Sequence, residues 1–145
     1  YIFLACSIFS YRFLWFFYGY SASTLRSIID SKNELYGTRI KKGEEKERFI
    51  RNATALNRKI SSIPELGDQY QIGHTFFAEI VDIYKGWKEI SGYSSPKHQL
   101  YRKKGSAEVL WDISLEPMLV SFLGNMDVET RESILKELKT IYDHK

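Results

Sequence analysis

Apolar residues recur at alternating steps of four and three along most of the chain after residue 43, and this spacing constrains the fold more than any other feature. The pattern is clearest in Phe49, Ala53, Leu56, Ile60 and Ile63. Residues at these intervals lie on one face of an α-helix. The spacing therefore predicts a helix over about residues 44–62, which ends before Pro64 because proline cannot continue a helix.

The same spacing predicts three more helices, over about residues 76–90, 107–123 and 128–142. Asp127 is placed to cap the last of them, and Pro117 requires a kink or a break in the one before. Their inward faces comprise Phe76, Ile80, Ile83, Trp87 and Ile90 in the first, Trp111, Leu115, Met118, Leu119 and Phe122 in the second, and Ile134, Leu135, Leu138, Ile141 and Tyr142 in the third.

A shorter helix is predicted over about residues 23–31, because Leu25, Ile28 and Ile29 have helical spacing and follow serines that suit an N-cap. Residues 32–43 contain Asn33, Gly37, Gly43 and several lysines, and residues 91–106 contain Gly92, Pro96 and Gly105, so both segments are predicted to be loops.

The chain begins with a strongly apolar and aromatic stretch, residues 1–20. Within it, the run FLWFFY over residues 13–18 is short and continuous, as in a strand that is covered on both faces. A membrane helix is the alternative because about 20 apolar residues span a bilayer, although the charge of Arg12 near the middle opposes insertion. We expect a strand whose sheet neighbours lie outside this sequence. The expected fold is thus mainly α, a small helical bundle preceded by a short aromatic strand.

Cysteine usage narrows the classes of protein to which the chain can belong, whereas the net charge does not. The single cysteine, Cys6, permits no disulfide within the chain, which fits a reducing cytoplasm. Cysteine and histidine are not spaced as in a zinc site. The net charge of +3 neither requires nor excludes a nucleic-acid partner.

Three segments in order resemble motifs of one family. LGDQYQIGHTFF over residues 66–77 resembles LG-x-x-FQIGHSYF, ALNRKI over residues 55–60 resembles LN-x-x-I, and LWDISLEPML over residues 110–119 resembles LW-x-x-x-I-x-PLLEEY. These are motifs of the McrB family, the AAA+ subunits of modification-dependent restriction systems. The resemblance is good over about residues 50–125 and loose over the first 30.

The resemblance implies that residues 1–20 are the last strand of an AAA+ core and that residues 21–145 form its helical lid. In the intact protein it implies ATP or GTP with Mg²⁺ as cofactor. It also implies a hexamer-like ring of identical subunits, a McrC-type nuclease partner, indirect contact with DNA, no membrane and a cytoplasmic location.

The resemblance also implies roles for individual residues. Arg12, in the run YRF, resembles the end of the family's LRRRF-x-F segment, whose arginines reach a neighbouring subunit's nucleotide; a surface charge at a strand end is the alternative. Gly73 and His74 are implied to lie near the nucleotide in the lid. The alternative for His74 is a histidine that caps a helix or satisfies the core.

Nucleotide hydrolysis requires a phosphate cradle and a Mg²⁺ site. The sequence contains no G-x-x-x-x-G-K-S/T run and no strand that ends in paired acidic residues. We therefore expect the chain to be inactive and to bind no cofactor by itself. A non-catalytic helical interaction module or a degenerate remnant is the alternative function, and a membrane-anchored helical protein is another.

A basic segment with interleaved rings lies between the second and third predicted long helices. It contains Lys97, His98, Tyr101, Arg102, Lys103 and Lys104. Such a segment can contact nucleic-acid phosphates, but a solvated surface loop is the simpler interpretation.

Overall fold

The computed structural model of the protein describes residues 20–38, 40, 44–91, 100–101 and 105–145. The described part forms six α-helices: α1 (Ala22–Tyr36), α2 (Glu44–Ser62), α3 (His74–Ser91), α4 (Ser106–Leu110), α5 (Glu116–Phe122) and α6 (Val128–Tyr142). A short 3₁₀ helix, Asp68–Tyr70, precedes α3, and a π-helical turn, Trp111–Leu115, joins α4 to α5. The strand predicted over residues 13–18 lies outside the described residues.

The helices pack as a small bundle, as the sequence predicted. Helix α1 lies against α3, α3 against α4, and α2 against both α1 and α6. Aromatic rings join three of these helices at the centre, since Phe49 of α2 meets Phe77 of α3 and Tyr142 of α6 edge-on, with centroid distances of 6.2 and 6.1 Å. Edge-to-face pairs of this kind are favourable beyond their burial alone.

Helix α2 confirms the strongest sequence prediction, because it has the predicted limits. The five inward residues of the pattern, Phe49, Ala53, Leu56, Ile60 and Ile63, are all buried. Its end is closed by a turn in which Ile63 N–H donates to Ile60 O (3.2 Å) and Leu66 N–H donates to Ile63 O (3.0 Å).

Helix α1 is longer than predicted, so the loop prediction over residues 32–43 is wrong for its first five residues. The helix continues to Tyr36 and ends at Gly37, which adopts the left-handed conformation (φ 63°) that suits glycine after a helix. Lys32 forms an ion pair with Asp82 of α3 (2.6 Å). This contact with α3 is consistent with the longer helix. The apolar spacing in the sequence does not predict that residues 32–36 are helical.

Helix α3 begins two residues earlier than predicted, and the inward face assigned to it is partly wrong. Phe76 is 41 % exposed, whereas Phe77, Ile80 and Val81 are fully buried. The helix packs against α1 on one side and α4 on another, so its buried stripe is broader than the predicted one and centred differently. The side chains of Trp87 and Ile90 lie outside the described part.

The third predicted long helix, over residues 107–123, is a continuous helical run with a local irregularity. The π-helical turn Trp111–Leu115 widens the helix just before Pro117. Proline lacks an N–H donor and its ring crowds the carbonyl one turn earlier, so a widened turn accommodates it. The irregularity expected at Pro117 thus takes this form. Trp111, Leu115 and Leu119 are buried as predicted.

Helix α6 also matches its prediction, because Asp127 accepts a hydrogen bond from Thr130 N–H (3.0 Å) at its N-terminus.

Within the described ranges, no helix is both long enough and apolar enough to cross a lipid bilayer.

Candidate functional site

The segment 66–77, which carries the strongest motif, forms the connection between α2 and α3. Leu66 is buried at its start, and Gly67 follows with φ 94° and ψ −170°. This region of backbone space is open essentially to glycine alone. The 3₁₀ helix Asp68–Tyr70 then leads into an extended stretch that ends at His74.

Asn57 of α2 holds that extended stretch in place. Its Nδ2 donates to Ile72 O (2.9 Å), and Ile72 N–H donates to Asn57 Oδ1 (2.7 Å). Both residues are fully buried or nearly so. A neighbouring bond from Gln71 Nε2 to Ser61 Oγ (2.6 Å) reinforces the contact. The first two motif segments are therefore joined by direct side-chain to backbone bonds.

The third motif segment packs against the same region. Tyr70 meets Phe122 edge-on with a centroid distance of 5.1 Å, and Ser114 Oγ donates to Glu79 Oε2 (2.9 Å). Each of these two contacts joins one segment to a residue just beyond the other, since Phe122 follows residues 110–119 and Glu79 follows residues 66–77.

His74 is the first residue of α3, and it binds the start of α1. Ser21 N–H donates to His74 Nε2 (2.7 Å) across 53 residues of sequence. The ring of Tyr20 stacks on the imidazole with centroids 5.1 Å apart and planes at 20°. His74 therefore joins two elements at the point where the chain enters the described bundle.

Tyr20 is itself anchored to two helices. Its hydroxyl lies 3.0 Å from Thr54 Oγ1 of α2, and its ring meets Phe77 of α3 edge-on at 5.8 Å. Burial raises the pKa of the Tyr20 phenol to about 12. The phenol is therefore neutral at physiological pH and acts as a fixed hydrogen-bonding group.

The imidazole of His74 is neutral for two reasons. Burial lowers the pKa of His74 below its usual value, because a charged ring loses solvation there. In addition, a proton on Nε2 would face the N–H of Ser21 and break the bond between them. The neutral ring therefore carries its hydrogen on Nδ1.

Gly73, the other residue predicted in this site, lies between the Asn57 contact and His74. A Cβ atom built there would lie 3.6 Å from Phe76 Cδ2, which is an ordinary van der Waals distance. The described packing therefore does not require a glycine at this position.

The remaining predicted features fall outside this cluster. Arg12 and, in the basic segment, residues 97–99 and 102–104 lie outside the described residues. Tyr101 is described and sits beside Arg48 of α2. In the part of the chain that the structure describes, no group of three or more histidine, cysteine or acidic side chains is placed to hold a metal ion.

Three residues of this cluster, Tyr20, Ser21 and Asn57, were not predicted as site residues by sequence reasoning. Asn57 was noted only as part of a motif, although it occupies the apolar face of α2, four residues after Ala53 and three before Ile60. A polar side chain at such a position is a signal, because a buried amide needs hydrogen-bond partners. Ser21 acts through its backbone, for which no residue-type signal exists.

Comparison with protein families, curated proteins and solved structures found no match to this chain.

Proposed function

We propose that the chain is the C-terminal portion of a McrB-type AAA+ nucleoside-triphosphatase. In this proposal residues 21–145 form a lid over the nucleotide and contribute subunit contacts in a ring motor that is coupled to DNA restriction. The phosphates of ATP or GTP and the Mg²⁺ ion are held by the rest of the core, because this sequence has no phosphate cradle.

The observation that carries the proposal is the 2.7 Å hydrogen bond from Ser21 N–H to His74 Nε2. In an AAA+ motor the lid moves relative to the core when the γ-phosphate is lost. Contacts between the lid and the segment that connects it to the core are therefore needed to couple the two. His74 lies within the family-like motif and contacts the segment through which the chain enters the bundle. A motif residue at this joint suits a hinge-facing role.

The packing of the three motif segments gives further support. Asn57 bonds to Ile72, Tyr70 meets Phe122, and Ser114 bonds to Glu79. The first contact joins two of the family-like segments directly, and the other two each join one such segment to a residue just beyond another. Arg12 as an arginine finger and Gly73 as a nucleotide-proximal residue belong to the same proposal.

The gene sequence upstream of the Tyr1 codon provides a direct test. The proposal expects an in-frame Walker A motif about 150–250 residues earlier, a distance set by typical domain size. A start codon close to Tyr1 without such a motif contradicts the motor function.

A second test uses the purified 145-residue chain. We expect it to hydrolyse neither ATP nor GTP in the presence of Mg²⁺, because it lacks the groups that position the phosphates. Turnover that requires Mg²⁺ and copurifies with the chain would show that the catalytic groups lie within it.

A further inference from the structure

The C-terminal end of α6 is closed by side chains of α2. Asn52 Nδ2 donates to Tyr142 O (2.9 Å) and His144 O (2.6 Å). Arg48 donates through Nε to His144 O (2.9 Å) and through Nη2 to Asp143 O (2.7 Å). The last carbonyls of a helix lack partners within the helix and carry partial negative charge. These bonds therefore fix the arginine side chain in one position.

A second contact holds Arg48 from another side. Its guanidinium carbon lies 3.7 Å from the ring centroid of Tyr101, a cation–π arrangement. Arg51 lies about one helical turn further along α2, with Nη2 3.4 Å from His144 O. Since a guanidinium has five N–H donors, these bonds to carbonyls leave donors on both arginines for another acceptor.

The two arginines open onto a cleft with a volume of about 560 Å³, which we call the arginine cleft. It is lined by Glu47, Arg48, Arg51 and Lys145. The carboxylate of Glu47 accepts two hydrogen bonds from Arg26, at 3.1 and 2.7 Å. The Arg26 hydrogen bonds lower the pKa of Glu47 and keep it ionised and paired. Among the described lining residues, three therefore carry a positive side chain, and the one acidic side chain, that of Glu47, is paired with Arg26.

We propose that the arginine cleft binds phosphate groups, supplied by a single-stranded nucleic-acid backbone or by a free polyphosphate. The planar fork of arginine matches the oxygens of a phosphate group and binds them with two parallel hydrogen bonds. The cleft has the size of sites that accept small ligands. Among the described residues its lining contains no aromatic side chain, so it recognises phosphate and not a stacked base. This site goes beyond the proposed lid function, which rests on His74.

The test measures binding of a fluorescein-labelled single-stranded oligonucleotide to the 145-residue chain by fluorescence anisotropy. The double variant Arg51→Gln/Lys145→Gln removes two of the lining cations and leaves Arg48 on the carbonyls of Asp143 and His144, just after α6. We expect its affinity to fall about tenfold or more, because charge-assisted hydrogen bonds to phosphate are among the strong ones. The slope of log affinity against log salt should fall by about 0.7 for each phosphate of a single strand that the variant no longer neutralises.

Arg58→Gln/Lys136→Gln is the matched control, because it also removes two positive charges, from exposed positions that do not line the cleft. An equal loss of affinity in the control and in the cleft double variant would show general attraction and overturn the site. So would the absence of oligonucleotide binding together with the absence of tripolyphosphate binding in calorimetry. Circular dichroism checks folding, and the single variant Lys145→Gln provides the comparison if the double variant unfolds.

Competition with inorganic tripolyphosphate separates the two sources of phosphate. Displacement of the oligonucleotide at a similar concentration of phosphate groups identifies a free polyphosphate as a sufficient ligand. Resistance to displacement, with sensitivity to the double variant, identifies the nucleic-acid backbone.

Discussion

The side chain of Asn57 satisfies both backbone polar groups of Ile72. Asn57 Nδ2 donates to Ile72 O at 2.9 Å, and Asn57 Oδ1 accepts from Ile72 N–H at 2.7 Å. Asn57 is 1 % exposed and Ile72 is fully buried, so no solvent replaces these bonds. An amide is well suited to this position because it presents a donor and an acceptor side by side.

Replacing Asn57 with alanine should strongly destabilise the bundle. Each buried backbone group left without a partner costs about 1–3 kcal/mol, and Asn57→Ala leaves two. We expect a lower free energy of unfolding in urea, followed by circular dichroism. Arg58→Ala, at the next and exposed position, should change it by no more than about 0.5 kcal/mol. Equal stability of the two variants would show that the Asn57–Ile72 bonds contribute nothing.

The two glycines of the 66–77 segment should respond differently to alanine. Gly67 has φ 94° and ψ −170°, a conformation that costs a residue with a side chain about 1–3 kcal/mol. Gly73→Ala adds only an ordinary contact with Phe76 and should cost only about 0.5 kcal/mol, because glycine is a better residue than alanine just before a helix. Urea unfolding of both variants checks this difference, and a Gly73→Ala variant as unstable as Gly67→Ala would refute it.

The stability of the bundle should fall as the pH falls into the range where histidine titrates. The pKa of His74 in the folded chain is lowered below the usual value of 6.5. Between these two values the unfolded chain binds more protons, so the contribution of His74 is complete above pH 6.5 and is lost as the pH falls through the folded pKa.

The urea midpoint of the natural chain should therefore fall between pH 7.5 and pH 5, as the stability contribution of His74 is lost. His74→Gln retains a polar side chain that can accept from Ser21 N–H but does not titrate, so it serves as the control. Its midpoints should vary less with pH over the same range. Identical pH profiles for the two proteins would mean that His74 titrates alike in the folded and unfolded chains.

The local sequence pattern was sufficient to predict the limits of α2 and α6. Helix α2 was predicted with its observed limits because a long apolar stripe and Pro64 both act locally. The cap at Asp127 was predicted for the same reason, since an N-cap depends on a side chain and a backbone N–H three residues apart.

Contacts between distant segments account for the errors. The extension of α1 beyond residue 31 contacts α3 through the Lys32–Asp82 ion pair and through Lys85 over the ring of Tyr36, which no local window contains. The inward face of α3 was misassigned because Phe76 and Phe77 are equally apolar, and only packing against α1 and α4 distinguishes them. Tertiary contacts of this kind override local preference.

The candidate site was predictable only in part. The resemblance singled out Gly73 and His74, but the partner of His74 is a backbone group 53 residues away. The described structure brings Tyr20, Ser21 and His74 together, and the sequence contains no local signal for that meeting.

The most direct measurement of the lid proposal is Mg²⁺-dependent hydrolysis of ATP and GTP by the product of the whole reading frame that contains this chain. The unmodified product should hydrolyse one of them. His74→Ala should lower the rate about tenfold or more, because a small displacement of a positioning group has effects of that size. His144→Ala, which changes an exposed histidine near the end of the sequence, should leave the rate unchanged. A product without hydrolysis, or a His74→Ala variant as fast as His144→Ala, would contradict a nucleotide-linked role for this joint.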